Sequence, residues 1–282
     1  MKTIKRLYLI LPLMLAFCTG SGVELKFKFD PSQKVRYRIL SQASSRTTTD
    51  NTTSSHNTRI EMVLSYSVIE QLANGDAKLE FRYEEINYSN SQSAAQNTDS
   101  LIKELQKMRI NVTMSPSGEI ADAEGYEQLP RFMAEDFNIF TLLLKALPVF
   151  PRAPIKRGGK WEREQEYPIE NGLINGKMLV YKRFTLKDSI PADSKNEELI
   201  GTDISMRFDV PETEDFSIKQ DGSEELGLNG RGEIKFNTQE GLVTDAKAAI
   251  FGRMIISMKH PVTQQPLLTK IDIAQSIQVT KL

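Results

Sequence analysis

Apolar and polar residues alternate with a period of two through most of the chain, the spacing of strands that bury one face and wet the other. The clearest run sets Val23, Leu25, Phe27 and Phe29 against Glu24, Lys26, Lys28 and Asp30, and Val35, Tyr37 and Ile39 continue it around Arg36 and Arg38. Ile60, Met62, Leu64, Tyr66 and Val68 face one way, and after Asn74-Gly75 the pattern resumes with Ala77, Leu79, Phe81 and Tyr83. Asn-Gly favours the left-handed backbone of a type I′ turn, which predicts a hairpin here. The second half repeats the alternation with Ile200, Ile204, Met206, Phe208 and Val210, then Leu242, Ala246, Ala248, Ile250, Met254 and Ile256, then Ile271, Ile273, Ile277 and Val279. Further Asn-Gly pairs at Asn171-Gly172, Asn175-Gly176 and Asn229-Gly230 add turn signals. Turns this frequent predict a meander of antiparallel strands rather than βαβ crossovers.

One segment breaks the period. Leu129, Phe132, Met133, Phe137, Phe140, Leu143, Leu144 and Leu147 are spaced by three and four, as on one face of a helix. Pro130 suits a first turn, and Pro148 and Pro151 end the helix. Such an apolar face must be covered. The fold predicted is therefore mainly β (α+β), a large curved antiparallel sheet, half-barrel-like, wrapped around one long amphipathic helix. A shorter helical piece is expected around Leu101, Ile102, Leu105 and Met108. Ser41 to Arg59 holds eleven Ser or Thr in nineteen residues, and Ser89 to Ser100 is similarly polar. These stretches are expected to be solvated loops, with a shared rim at one end of the sheet as the alternative.

The first residues carry Lys2, Lys5 and Arg6, an uncharged run from Leu7 to Phe17, and then Thr19, Gly20, Ser21 and Gly22, the layout of a secretory signal peptide. The run is too short to cross about 30 Å of hydrocarbon as a helix. Leu15-Ala16-Phe17-Cys18 resembles a bacterial lipobox, in which the cysteine becomes the lipidated first residue, although Phe17 stands where a small residue is usual. The alternative is cleavage nearby without lipidation. This divides the chain into residues 1–22, signal peptide with lipobox and short tether, and 23–282, one antiparallel β domain with its central helix near 129–147. Two β subdomains, 23–155 and 156–282, are the alternative division.

Charge and composition remove function classes. The chain of 282 residues has 36 Lys plus Arg against 37 Asp plus Glu, too balanced for a phosphate-binding surface, so no nucleic acid partner is expected. Without Lys2, Lys5 and Arg6 there are 33 basic against 37 acidic residues, a formal charge of −4. His56, His260 and Cys18 alone cannot build a Cys/His zinc site, and neither metal nor cofactor is expected. There is no Gly-x-Ser-x-Gly elbow, and Gly227, Gly230 and Gly232 follow neither a Rossmann nor a P-loop spacing, which leaves them as bulges or a turn. The acid pairs Glu84-Glu85, Glu197-Glu198 and Glu224-Glu225 lack EF-hand spacing. No catalytic residue is singled out, and the chain is read as non-enzymatic, an unrecognised hydrolase being the weakest alternative.

Three short motifs lie in a familiar order: Phe29-Asp30-Pro31-Ser32-Gln33-Lys34-Val35-Arg36-Tyr37, then Val112-Thr113-Met114-Ser115-Pro116-Ser117-Gly118-Glu119-Ile120, then Phe150-Pro151 with Pro154-Ile155-Lys156-Arg157-Gly158-Gly159-Lys160-Trp161. Their order resembles that in a group of uncharacterised exported bacterial proteins and lipoproteins, loosely similar in architecture to the half-barrel lipoprotein carriers of the cell envelope. The resemblance implies a curved antiparallel sheet with a helix in its concavity and supplies no catalytic residue; the carrier analogy adds a lipid or other hydrophobic ligand. Physically, Ser115-Pro116-Ser117-Gly118 reads as a turn. Trp161 either packs in the core or stacks on a ligand. The function expected is that of an exported envelope protein of the periplasm, outer membrane or cell surface, held to the membrane by a lipid on Cys18. It would bind a hydrophobic ligand in a cradle whose candidate residues are Phe132, Phe137, Phe140, Leu144 and Trp161. The alternative is a protein-binding scaffold with a filled core and an envelope protein as partner.

Overall fold

The computed structural model describes residues 22–50, 52–91, 98–124, 147–170, 175–188, 196–211, 216–219, 227–259 and 265–282. They form one antiparallel sheet. Its strands are β1 (Lys34–Thr49), β2 (Thr52–Gln71), β3 (Ala77–Asn90), β4 (Ile110–Met114), β5 (Ile120–Glu124), β6 (Lys160–Glu170), β7 (Asn175–Leu186), β8 (Glu197–Asp209), β9 (Phe216–Lys219), β10 (Gly227–Asn237), β11 (Leu242–Lys259) and β12 (Pro266–Lys281). The order across the sheet is β5-β4-β3-β2-β1-β12-β11-β10-β8-β7-β6. Two meanders, one from each half of the chain, are thus joined where the first strand pairs with the last, from Tyr37↔Lys281 to Thr49↔Thr269. β9 pairs Ile255–Met258 of β11, just beyond the point where β10 leaves off at Gly227↔Arg253, so β9 and β10 occupy one strand line.

Alternation assigns the faces. The inner face carries Val35, Tyr37 and Ile39 from β1, the partners Tyr66, Leu64 and Met62 from β2, and Val279 and Ile277 from β12. At one end of the sheet this face is closed by two crossing segments. Val23 bridges Ile155, and Leu25, Phe27 and Phe29 point inward while Glu24, Lys26 and Lys28 stay exposed. The run expected as the clearest strand is therefore extended but lies across the sheet, outside its ladder, with only Val23 in a bridge. Burial on one side is enough to produce the alternation. Phe150 enters from the second segment and meets Phe27 at 5.2 Å and Phe236 at 4.6 Å between ring centroids. The Ser115–Gly118 turn between β4 and β5 fastens both segments: Phe27 N–H donates to Pro116 O and Phe150 N–H to Ser117 O, each at 2.7 Å.

Among the described residues helix is confined to α1 (Thr98–Lys107), which buries Leu105 against the core. The Arg109 guanidinium donates to the carbonyls of Gln106, Lys107 and Met108 and so caps its end. A sheet wrapped around one long helix is not what these residues form; the segment expected to be that helix, 129–147, lies outside them except for Leu147, which packs on the core half-buried.

Two further expectations are corrected. Residues 41–49 and 52–59 are strand rather than loop, because the threonines favour extended backbone and pair across strands, Thr48 with Thr53 at 3.2 Å and Thr49 with Thr269 at 3.0 Å. Asn-Gly has no single meaning here. At Asn74-Gly75 the hairpin forms, but Gly75 alone is left-handed (φ 90°) and the Asn74 side chain accepts from Asp76 N–H, so the turn is not type I′. Asn229-Gly230 lies inside β10, where Ile250 of β11 lies across the missing Cβ of Gly230. Asn175-Gly176 opens β7.

Candidate ligand-binding face

Successive inner-face rows run from the closed end outward. The row Leu186, Ile200, Ile234, Ala246, Val279, Ile39, Met62 and Ile86 lies beneath the crossing segments. The next holds Trp161, Phe184, Thr202, Gly232, Ala248, Ile277 and Ser41. Then come Arg163, Lys182, Ile204, Gly230, Ile250, Gln275 and Ala43, and beyond them Gln165, Val180, Met206, Leu228, Gly252, Ile273 and Ser45. The change along these rows is one of cover. Val180, Leu228 and Ile250 are still buried, the last two because each lies over a glycine of the neighbouring strand, Leu228 over Gly252 and Ile250 over Gly230. Ile204, Met206, Phe208, Met254, Ile256, Ile271 and Ile273 are only half-buried. The described residues thus leave the apolar side of β7, β8, β11 and β12 partly uncovered, on the C-terminal half of the sheet. The N-terminal half continues the same face with Ser45, Thr47, His56 and Thr58.

Trp161 is 8 % exposed, stacks on Phe184 at 5.1 Å between centroids, and donates from Nε1 to Val149 O at 2.8 Å. It stands where the aromatic core ends and the open face begins. The other cradle candidates, Phe132, Phe137, Phe140 and Leu144, and the lipidation candidate Cys18, lie outside the described residues. The cavity inside the core, between Phe27, Tyr37, Tyr66, Phe81, Met114 and Val243, is about 40 Å³, room for water but not for an acyl chain. Burial raises the Tyr37, Tyr66 and Tyr83 phenols above their ordinary range, and Tyr37 Oη donates to Val243 O at 3.0 Å.

A second concavity of about 720 Å³ opens where β3, β2, β1, β12 and β11 run side by side, lined among others by Ser44, Asn57, Arg59, Ser89, Ala274 and Phe251. These six belong to the outer face by register, and Phe251 is 60 % exposed. The sequence hints at it: Ala248 to Phe251 is apolar at four consecutive positions, so β11 is apolar on both faces there. Lys182 is signalled similarly, as a charge at a position of apolar parity between Val180 and Phe184. Neither signal is part of a named motif. Among the described residues no three His, Cys, Asp or Glu side chains gather as a metal site would require.

No family model and no curated protein matches the chain. Solved structures do. A chain of lipovitellin, from a structure titled for lipid-protein interactions, is similar with a TM-score of 0.53 and 10% identity, over 90% of this chain and 25% of that one. The fold likeness is therefore to a part, since this chain spans about a quarter of the lipovitellin chain. DynF of the dynemicin pathway of Micromonospora chersina (TM-score 0.18, 8% identity, 91% of this chain and 89% of that chain) and the MucA/MucB complex of Pseudomonas aeruginosa (0.15, 8%, 83% and 88%) also match, at scores too low to carry an argument. Among the described residues no helix is long and apolar enough to cross a membrane.

Proposed function

We propose that this is a non-enzymatic, exported envelope protein that binds a hydrophobic ligand on the inner face of its sheet. The observation carrying the proposal is the row-by-row loss of cover over apolar side chains, from Ile200 and Phe184, fully buried, to Ile204, Met206, Phe208, Met254 and Ile271, half-buried. Leaving a contiguous apolar surface wet is unfavourable by roughly 25 cal/mol per Å², so such a face is expected to take an apolar partner. The fold likeness to part of lipovitellin supports a lipid as that partner, by analogy of fold. The basic start, apolar run and Cys18 support export and a lipid anchor.

The test is a thermal shift with long-chain lipid, together with mass spectrometry of lipid carried through gentle purification. Binding to the folded state alone raises the midpoint as ligand exceeds Kd. Met254→Glu should remove the shift and leave the ligand-free midpoint within a few degrees. Absence of both co-purified lipid and any shift would overturn the proposal. Phe251 in its outer trough favours a second reading, a protein-binding scaffold. On that reading Phe251→Ser abolishes association with a partner protein, and on the first it leaves lipid binding unchanged.

A further inference from the structure

We infer that the ligand is an uncharged amphiphile whose hydroxyl-bearing head sits on the inner face of β1 and β2 while its chain lies over β12 to β7. The inference rests on the ligand-binding proposal above and names the ligand's chemical class and its direction on the sheet. Two neighbouring inner-face rows change in the same way along their length. One runs Val180, Met206, Leu228, Gly252 and Ile273, then Ser45 and His56. The other has Met254 and Ile271, then Thr47 and Ser54. In both, the apolar part ends between β12 and β1, where Ile273 pairs with Ser45 and Ile271 with Thr47. Neighbouring strands lie about 4.8 Å apart, so the apolar part from β7 to β12 spans about 19 Å, enough for a chain of the length that fills one leaflet, about 15 Å, of a bilayer's hydrocarbon core.

The polar end of these rows is sheltered and carries no fixed charge. Ser45, Thr47, His56 and Thr58 are half-buried, whereas Ser44, Arg46, Ser55 and Asn57, which alternate with them and point outward, are exposed. From Ile39 to Thr49, Thr52 to Met62 and Thr269 to Val279 no inner-face position holds Asp, Glu, Lys or Arg. One residue away the outer face sets Arg46 opposite Asp272, which also binds Arg253 at 2.6 Å. A charged head group on the inner face would leave water for a surface with no counter-ion, which is costly, whereas a hydroxyl both donates and accepts and is satisfied by neutral side chains. His56 Nε2 shares a hydrogen bond with Thr58 Oγ1 at 3.1 Å, and Nδ1 of the same ring is buried without a partner. Hydroxyl groups match this imidazole in either tautomer, and they match the Ser45 and Thr47 side chains beside it. Nearer the closed end the polar groups satisfy one another, Gln275 Nε2 donating to Ser41 Oγ at 3.3 Å, which places the head further out, at Ser45, Thr47 and His56.

The probes are 1-oleoylglycerol, methyl oleate, which lacks hydroxyls, and oleyl sulfate, which is permanently charged. Each is titrated into the full protein by calorimetry below the concentration at which it aggregates. 1-Oleoylglycerol should bind at least about tenfold tighter than either of the others, the gain expected of one or two hydrogen bonds. His56→Phe, which keeps an aromatic ring and removes both nitrogens, should erase most of that preference and leave methyl oleate unchanged. His56→Asn should restore part of it, and the double variant Ser45→Ala, Thr47→Val should give a smaller loss of the same sign. Each variant is compared at a thermal midpoint near that of the unaltered protein. Side chains with a merely structural role would weaken all three probes together, and that result overturns the inference. Equal affinity for 1-oleoylglycerol and methyl oleate, tighter binding of oleyl sulfate, or a preference that survives both His56→Phe and the double variant also overturns it and leaves the apolar face standing. Failure of all three probes to bind overturns the ligand-binding proposal itself.

Discussion

Leu64 and Met254 project from the same face of the same sheet, yet one is 2 % exposed and the other half-buried. The sheet does not differ between them; the cover does. Over Leu64 the face is closed by Leu25, Phe27 and Phe150, carried on segments that owe their place to three or four backbone hydrogen bonds each. Toward Met254 the β11–β12 ladder runs on without interruption, and there is no such cover among the described residues. Ladder bonds therefore hold β11 to β12 from Asp245↔Thr280 to Lys259↔Pro266, whereas the hydrophobic contribution to stability is concentrated at one end. A region whose strands are already paired but whose apolar side chains are incompletely buried is suited to receiving an apolar ligand, because the ligand adds the burial and the scaffold is already ordered.

The difference is tested most strongly by truncating one residue in each region. Phe150 is wholly buried among Phe27, Phe236 and Trp161, so Phe150→Ala is expected to cost about 3–5 kcal/mol in urea unfolding. Met254→Ala should cost about 1 kcal/mol or less without ligand, since its side chain is only partly removed from water. Equal losses at the two positions would break the distinction between a closed and an open end.

Alkaline pH acts strongly on the closed end. Tyr37, Tyr66 and Tyr83 lie there, and burial raises each phenol above its unfolded value near 10. A raised folded-state value means that the stabilisation is whole below pH 10 and is lost as pH climbs above it. The expected loss is about 1.4 kcal/mol per pH unit for each phenol still protonated in the folded state. Unfolding curves at pH 9 and pH 11, with phenolate absorbance following the transition, should show a large fall in midpoint and the three phenols ionising only as the protein unfolds. Ionisation before unfolding would mean that the closed end is not sealed.

Parity was the most legible property of the sequence. The inner-face residues of β8, β11 and β12 are those that alternation selected, from Ile204 and Met206 to Ile271 and Ile273, because period-two burial needs no knowledge of partners. The meander was legible too, although one of its supposed turn signals is strand interior: Asn229-Gly230 reads as a turn only when nothing is known of Ile250 across the strand. What alternation could not show is which segments lie across the sheet instead of in it. Val23 to Phe29 has strand parity, and its placement depends on Pro116, Gly241 and Ile155, all remote in sequence.

The turn that fastens the cover gives the next effect. Gly118 has φ 90°, and a Cβ there would meet Pro148 O at 2.5 Å and Phe27 Cε2 at 2.8 Å. Gly118→Ala should cost about 1–3 kcal/mol, the range for a strained left-handed residue, with the contact to Pro148 added. Because Ser117 O and Pro116 O hold the two crossing segments, hydrogen exchange at the Phe27 and Phe150 amides should quicken more than exchange at β11 and β12 amides. Uniform quickening along the sheet would show that the cover and the strands open as one unit.

The smallest effect comes from the outer surface of the closed end. Glu84 sits on a bulge of β3 and receives Lys34 Nζ at 2.6 Å and Arg36 Nε at 2.7 Å, both from β1. The Lys34 hydrogen bond, with Arg36 and Ser65 assisting and burial opposing, holds its carboxyl down to about 2. A depressed folded-state value means that the stabilisation is present above the unfolded value near 4.5 and is lost as pH falls from there toward 2. Both partners are about half exposed, so solvent screens the pair, and Glu84→Gln is expected to cost no more than about 1 kcal/mol at pH 7. Across a titration from pH 6 to pH 2 the unfolding midpoints of the two proteins should converge as Glu84 loses its charge. A difference that persists at pH 2 would show that the bulge, where Glu84 O also accepts from Gln106 Nε2 at 3.0 Å and so ties α1 to the sheet, depends on the shape of the side chain rather than on its charge.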